Sequence, residues 1–124
     1  MVLIYRVFGL LYVLSGLWCA ISSELAAGFL GLAFADVSGQ AEFFSVYGGL
    51  QLGLGLGMLI SSWRADYLEG SLFFAMIFSG CLAGFRVLSF ILFGVIEQFM
   101  VMLILELLIV IGLFLVWARI RRPT

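Results

Sequence analysis

Four long apolar segments constrain the fold of this chain more than any other feature of its sequence. They run from Val2 to Ser22, from Glu42 to Ser61, from Ser71 to Phe93 and from Phe99 to Trp117. A helix needs about 20 mostly apolar residues to cross a bilayer, and each segment is close to that length. The pattern predicts an all-α fold, a transmembrane four-helix bundle that occupies residues 1–124 as a single domain.

The composition favours a bilayer over water as the surroundings of this fold. The chain is 65% hydrophobic and 10% charged, whereas soluble domains are about half apolar and a quarter charged. A soluble domain of 124 residues has too little interior to bury so much apolar surface. The net charge of -1 offers no basic surface for a nucleic acid, so we expect none as a partner.

Residues suited to catalysis or metal binding are scarce. The sequence has no His and no Lys, so the commonest metal ligand and the usual acid–base group are both missing. Cys19 and Cys81 lie in apolar segments and are too few for a zinc site, which needs about four ligands. Ser79, Ser89 or Cys81 could act as nucleophiles, but no His or Lys is available as a base. Glu106 could act as the base only if it were not paired with Arg86. The sequence therefore predicts no metal site, no cofactor and no enzymatic activity.

The distribution of charge predicts the orientation in the membrane. With four spans, the arginines outside the apolar cores fall on one side, and the opposite loops carry acids and no positive charge. The two sets are Arg6, Arg64, Arg119, Arg121 and Arg122 on the first side, and Glu24, Asp36, Glu42 and Glu97 on the second. Positive charge marks cytoplasmic loops, so we expect both termini in the cytoplasm.

The connection between the first two spans, residues 23–41, is itself half apolar. Leu25, Phe29, Leu32 and Ala33 recur there at helical spacing. This spacing predicts a short helix that lies on the membrane surface between spans one and two.

Glycines repeat at short intervals within the apolar segments. Small residues allow close approach of helix backbones in lipid, where van der Waals packing drives association. The predicted packing residues are Gly48, Gly49, Gly53 and Gly57 in the second span and Gly80 and Gly84 in the third. Gly9 and Gly16 stand a heptad apart in the first span. Two interpretations stay open, close packing within the chain and a homodimer face.

Arg86 and Glu106 each stand alone inside an apolar segment. A charge at mid-span costs about 2.5–3.5 kcal/mol, so the two should pair. Both lie about 10 Å below the outer edge at 1.5 Å of rise per residue. Tyr47 and Gln51 share a helix face in the same layer, with Glu42 at its mouth. Three uses fit this polar cluster: a structural ion pair, an outward-opening pocket for a small or amphiphilic ligand, and a proton or ion relay.

Three motifs carry a family resemblance over nearly the whole chain. They are EFFSVYGGLQLGLG (Glu42 to Gly55), GFR (Gly84 to Arg86) and LEL (Leu105 to Leu107). The pattern resembles a family of small bacterial four-helix membrane proteins of unknown function. The resemblance implies four spans in the bacterial inner membrane and polar positions at Glu42, Tyr47, Gly48, Gly49, Arg86 and Glu106. In architecture alone, the chain is also similar to the DoxX-like subunits that accompany quinone-linked oxidoreductases.

Several functions fit these features. The first is a non-enzymatic accessory subunit, or a binder of a lipid or quinone-like small molecule in the polar cluster. The second is a small proton-coupled transporter, although small multidrug exporters use a Glu in their first helix, and the core of this first span has no acid. The third is a purely structural subunit of a membrane complex. The expected partners are the lipid bilayer, a lipid or quinone-like ligand, and another membrane protein or a second copy of the chain.

Overall fold

The computed structural model describes residues 1–122, which are largely helical and contain no strand. The helices are α1 (Val2–Ile21), α2 (Ser23–Phe29), α3 (Val37–Ser61), α4 (Ala65–Phe93) and α5 (Glu97–Ile120). All but α2 are long and apolar enough to cross a membrane. The prediction of an all-α chain with four membrane-length helices is confirmed.

Three of the four long helices begin earlier than the apolar segments that predict them, and α1 begins at the predicted Val2. α3 begins at Val37 rather than Glu42, and α4 begins at Ala65 rather than Ser71. Helix ends are fixed by capping groups, whereas apolar length marks only the part that can lie in lipid. Asp36 illustrates this, since its side chain accepts hydrogen bonds from the backbone N–H groups of Ser38 and Gly39 at the start of α3.

The chain divides into two compact units, which we describe separately. The N-terminal unit is Arg6–Ile60, and the C-terminal unit combines Met1–Tyr5 with the chain from Ser61 onward. The N-terminal unit contains most of α1, all of α2 and most of α3. The C-terminal unit contains α4 and α5.

Glycines bring α1 and α3 into backbone contact in the N-terminal unit. A Cβ atom added to Gly16 would lie 2.6 Å from the backbone nitrogen of Leu52, and one added to Gly55 would lie 2.6 Å from the carbonyl oxygen of Gly9. At Gly48 it would lie 3.1 Å from the Cβ of Ala20. The two helices therefore run antiparallel, with a heptad between the glycines on each of them.

Of the predicted packing glycines, Gly48 packs against a neighbouring helix of its unit, while the others do not, and the homodimer interpretation for those others stays a prediction. Apart from the adjoining backbone of its own helix, no atom of its unit would lie within 4 Å of a Cβ added at Gly49, Gly53, Gly57, Gly80 or Gly84. A repeat of four residues rotates by about 40° per step around a helix of 3.6 residues per turn, whereas a heptad drifts by only about 20°. The glycine seam, by which we mean the contact of Gly9 and Gly16 on α1 with Gly48 and Gly55 on α3, therefore has a heptad spacing on both helices.

The middle of α3 departs from α-helical geometry. Residues Phe44–Leu50 form a π-helical segment, with hydrogen bonds that span one residue more than in an α-helix. The Gly48–Gly49 pair lies within it. The wider turn changes the angle between successive side chains, so faces counted at 100° per residue do not hold across this segment.

The predicted short helix between spans one and two is present as α2, but it ends at Phe29. Gly31, at a φ of 75°, lies just beyond that end, so Leu32 and Ala33 lie outside the helix. A small hydrophobic cluster fixes α2 against its neighbours. Its members are Cys19, Ala26, Ala27 and Phe43, with Leu30 and Phe34 packed against them.

Complementary faces join α4 and α5 in the C-terminal unit. The buried residues are Leu72, Ala75, Ser79 and Ala83 on α4 and Glu106, Ile109, Leu113 and Val116 on α5. Both sets repeat every three or four residues, so each forms a single helix face. The α4 face is mostly small, which lets the branched side chains of α5 approach its backbone. Gly80 and Gly84 each lie one residue after this face, about 100° away.

Candidate functional site

The two charges inside the apolar helices meet in the C-terminal unit. The Nη2 of Arg86 donates to Oε1 of Glu106 at 2.9 Å, and Nε donates to Oε2 at 3.3 Å. The guanidinium therefore meets the carboxylate with two parallel bonds, the geometry that favours Arg over Lys. The side chains are 19% and 11% exposed. The expected pairing is confirmed, and the two opposite charges neutralise each other.

An aromatic ring completes the surroundings of the guanidinium. The guanidinium carbon of Arg86 lies 5.2 Å from the centre of the Phe99 ring, within the range of a cation–π interaction. Phe99 stands a heptad before Glu106, so both project from one face of α5. The sequence analysis missed Phe99, although that heptad spacing was available as a signal.

The ion pair leaves part of the guanidinium available. Arg has five N–H donors, and Glu106 takes one from Nε and one from Nη2. Nη1 has no hydrogen-bond acceptor among residues 1–122. Nη1 is therefore not fully buried, because every fully buried side-chain nitrogen or oxygen atom in residues 1–122 has a hydrogen-bond partner. The pair can therefore offer N–H donors to an oxygen atom of another molecule while staying neutral as a unit.

The remaining predicted cluster residues belong to the N-terminal unit. The Ser15 hydroxyl donates to Oε1 of Gln51, which links α1 to α3. Tyr47 stacks on Phe43, with ring centres 4.6 Å apart and planes at 13°. Glu42 is exposed, with no ion pair in the described chain. That Tyr47 and Gln51 share one layer with Arg86 and Glu106 stays a prediction.

Three hydroxyl groups form a second polar cluster, which the sequence analysis missed. Tyr5 is fully buried, and its hydroxyl hydrogen-bonds to that of Ser71. The Ser61 hydroxyl donates to Ser71 at 2.7 Å. In a four-span chain, α1 begins, α3 ends and α4 begins on the same side of the membrane. A hydroxyl residue near each of these three helix ends was therefore the sequence signal for this cluster. The cluster ties these helix ends together.

Metal binding finds no support in the side chains. No group of three or more His, Cys, Asp or Glu residues within residues 1–122 is arranged to hold a metal ion. Cys19 is buried in the small hydrophobic cluster, and Cys81 is exposed.

Four apolar helices joined by short connections define the class: this is an all-helical, multi-pass membrane protein. No protein-family model, curated protein or solved structure matches the chain. The polar chemistry of its own helices therefore carries the functional argument.

Proposed function

We propose that this protein is a non-enzymatic membrane module that binds a lipid or quinone-like amphiphile through Arg86. The proposal depends on one observation, the unused N–H donors of a guanidinium that Glu106 neutralises inside a membrane-length helix pair. A carbonyl, ester or phosphate oxygen accepts such donors. An amphiphile brings that oxygen to this depth on its apolar part, and this favours it over a water-soluble ligand.

The bonding of Glu106 favours this function over proton-coupled transport. Both of its oxygens accept hydrogen bonds from Arg86, whereas a transport carboxylate must be free to gain and lose protons. An accessory subunit of a larger membrane complex remains compatible, because a bound amphiphile can be shared with a neighbouring subunit. The resemblance described above supports a bacterial inner membrane as the location, and the distribution of arginines supports both termini in the cytoplasm.

The test is the identity and amount of any amphiphile that co-purifies. The protein is purified in a mild detergent, and bound lipids and quinones are measured by mass spectrometry per mole of protein. In the double variant Arg86→Met/Glu106→Leu, both charges disappear together, so neither partner is left as an unpaired charge. We expect this variant to stay folded and to lose the bound molecule.

The matched control is Glu69→Leu/Arg121→Met. This variant removes the same two charges from an exposed ion pair of the same helices, where the Arg121 Nε lies 3.1 Å from Glu69. We expect it to retain the bound molecule. Equal retention by both double variants would assign Arg86 and Glu106 a purely structural role. The same conclusion would follow if the wild-type protein neither carries an amphiphile nor takes up added quinone or phospholipid.

A further inference from the structure

A cleft of about 660 Å³ opens in the N-terminal unit, at the end of α1. One wall is the turn from α1 into α2, and the other is the first half of α3. Ser23 stabilises the turn that forms the first wall, because its hydroxyl donates to the carbonyl oxygen of Cys19 at 2.8 Å. Val37, Gln40, Ala41 and Phe44 line the second wall. Their spacing of three and four residues places them on one helix face.

The lining of the cleft combines apolar side chains with two polar ones. Ile21, Leu25 and Val37 are 81%, 73% and 80% exposed, and these apolar side chains line the cleft together with Phe44. Glu24 supplies the one charge among the lining residues, and Gln40 supplies a carboxamide. Neither side chain has a hydrogen-bond partner within residues 1–122. The cleft thus combines an apolar surface with an unpaired anion and an unpaired amide.

From this arrangement we propose that the cleft binds a phospholipid with a primary ammonium headgroup, of the phosphatidylethanolamine type. The ammonium donates to the Glu24 carboxylate, and the Gln40 carboxamide donates to a phosphate or ester oxygen. The acyl chain lies along Ile21, Val37 and Phe44. This site lies within residues 20–44 and is independent of the amphiphile proposed for Arg86.

Charge complementarity selects this occupant over other lipids. The lining residues carry an anion and no cation, so an anionic headgroup would meet repulsion at Glu24. A choline headgroup has no N–H to donate to the carboxylate, and its recognition relies on cages of aromatic rings. Phe44 is the one aromatic residue in the lining. A primary ammonium forms charge-assisted hydrogen bonds with a carboxylate.

The location fits a lipid better than a soluble amine. The cleft lies where the apolar sequence of α1 ends and that of α3 begins. In a membrane this level is the interface between headgroups and acyl chains. A soluble amine would use Glu24 and leave the exposed apolar side chains uncovered.

The experiment measures lipid retention by native mass spectrometry after reconstitution in nanodiscs with equal amounts of phosphatidylethanolamine, phosphatidylcholine and phosphatidylglycerol. The wild-type protein should retain phosphatidylethanolamine preferentially. In Glu24→Gln, the preference over phosphatidylcholine should fall by about 1.4- to 5-fold, the range expected for an exposed ion pair. Glu24→Asp, which keeps a carboxylate, should keep most of it.

Two controls separate this site from the other one. Glu97→Gln removes an exposed acid from the start of α5, outside the cleft, and should leave the preference unchanged. Arg86→Met/Glu106→Leu should also leave the phosphatidylethanolamine preference unchanged, while it abolishes binding of the amphiphile proposed for Arg86. An unchanged preference in Glu24→Gln, or equal retention of all three lipids by the wild-type protein, would overturn the proposal. Displacement of the lipid by millimolar ethanolamine alone would overturn it in favour of a soluble amine.

Discussion

Arg86 and Glu106 illustrate how the membrane changes the energetics of a single residue. Each charge alone would cost several kcal/mol inside an apolar helix, but the pair costs much less because both groups are hydrogen-bonded to each other. Removing one partner leaves the other charge unpaired inside the helix pair. Removing both leaves an apolar contact between α4 and α5.

We therefore predict a strong difference between single and double substitutions at this pair. Arg86→Met or Glu106→Leu alone should lower the free energy of unfolding by about 3–5 kcal/mol, because each leaves an unpaired charge. The double variant should lie within about 1–2 kcal/mol of the wild-type protein, since apolar replacement of a buried pair is often neutral. Reversible unfolding in mixed micelles measures all three. Additive effects of the two single substitutions would contradict the prediction.

Asp36 is the residue outside the spans for which we predict a pH dependence. The Ser38 hydroxyl and the backbone N–H groups of Gly39 and Ser38 hold the pKa of Asp36 below its ordinary value. A carboxyl whose pKa is lower in the folded state stabilises the fold above its unfolded pKa of about 3.9. That contribution is lost as the pH falls below this value and through the folded pKa.

The start of α3 should therefore loosen on acidification below about pH 4. Amide hydrogen exchange at Ser38 and Gly39, corrected for its intrinsic pH dependence, measures the effect directly. Asp36→Asn keeps an oxygen that can cap the helix but cannot titrate, so its protection should stay constant over the same range. Identical acid profiles in the wild-type protein and Asp36→Asn would exclude Asp36 as the group responsible.

At the level of elements, the contact between α1 and α3 depends on residues that lack a side chain. A methyl group at Gly16 or Gly55 would meet backbone atoms at 2.6 Å, and backbone cannot move aside as a flexible side chain can. Gly16→Ala and Gly55→Ala should each destabilise the protein by about 1–3 kcal/mol, the usual cost of overpacking. Thermal unfolding in detergent measures this loss.

Gly53→Ala is the matched control, since it makes the same change in the same helix as Gly55→Ala. Gly53 faces open space within its unit, so the added methyl should leave stability unchanged or raise it by up to about 1 kcal/mol through helix propensity. If Gly53→Ala lowered the stability and Gly55→Ala did not, α1 would have to pack against the face of α3 that carries Gly53, which would contradict the prediction.

The helices could be predicted from the sequence, and the contacts between them only in part. Apolar length alone identifies the four spans, because a bilayer imposes a minimum length on each. The ion pair was also predictable, because two lone charges at equal depth have few alternatives. The glycine seam was not, because five of the glycines in α3 lie in repeats that suggest more than one face. The π-helical segment at Phe44–Leu50 changes those faces further.

The hydrogen bonds of the smaller polar residues were harder to predict than the ion pair. Ser15 and Gln51 pair across α1 and α3, but a serine in an apolar helix can also bond to its own backbone. Ser23 and Ser45 do so, each with the carbonyl four residues before it. The sequence does not distinguish these two uses. A charged side chain cannot be satisfied by its own helix, so its need for a partner is visible from the sequence.

At the scale of the whole molecule, the predicted orientation in the membrane rests on arginines at one set of helix ends. Arg64 precedes α4, and Arg119 and Arg121 end α5. Arg121 also lies 4.9 Å from the Trp117 ring and is paired with Glu69. Aromatic side chains mark a membrane interface, and basic side chains favour the cytoplasmic one. The loop between α2 and α3 carries no positive charge, so we expect it on the opposite side.

Reporter fusions test this orientation in the intact protein. Green fluorescent protein fused after Thr124 should fluoresce, because it folds in the cytoplasm, and alkaline phosphatase at the same point should be inactive. Alkaline phosphatase fused after Ala35, between α2 and α3, should be active because a single span precedes it. Replacing Arg119, Arg121 and Arg122 with Gln while adding three arginines between α2 and α3 should invert part of the population, since the arginine bias sets orientation. An active phosphatase after Thr124 in the unaltered chain would mean that the arginines lie outside the cytoplasm, and the cleft at Glu24 would then face the inner leaflet.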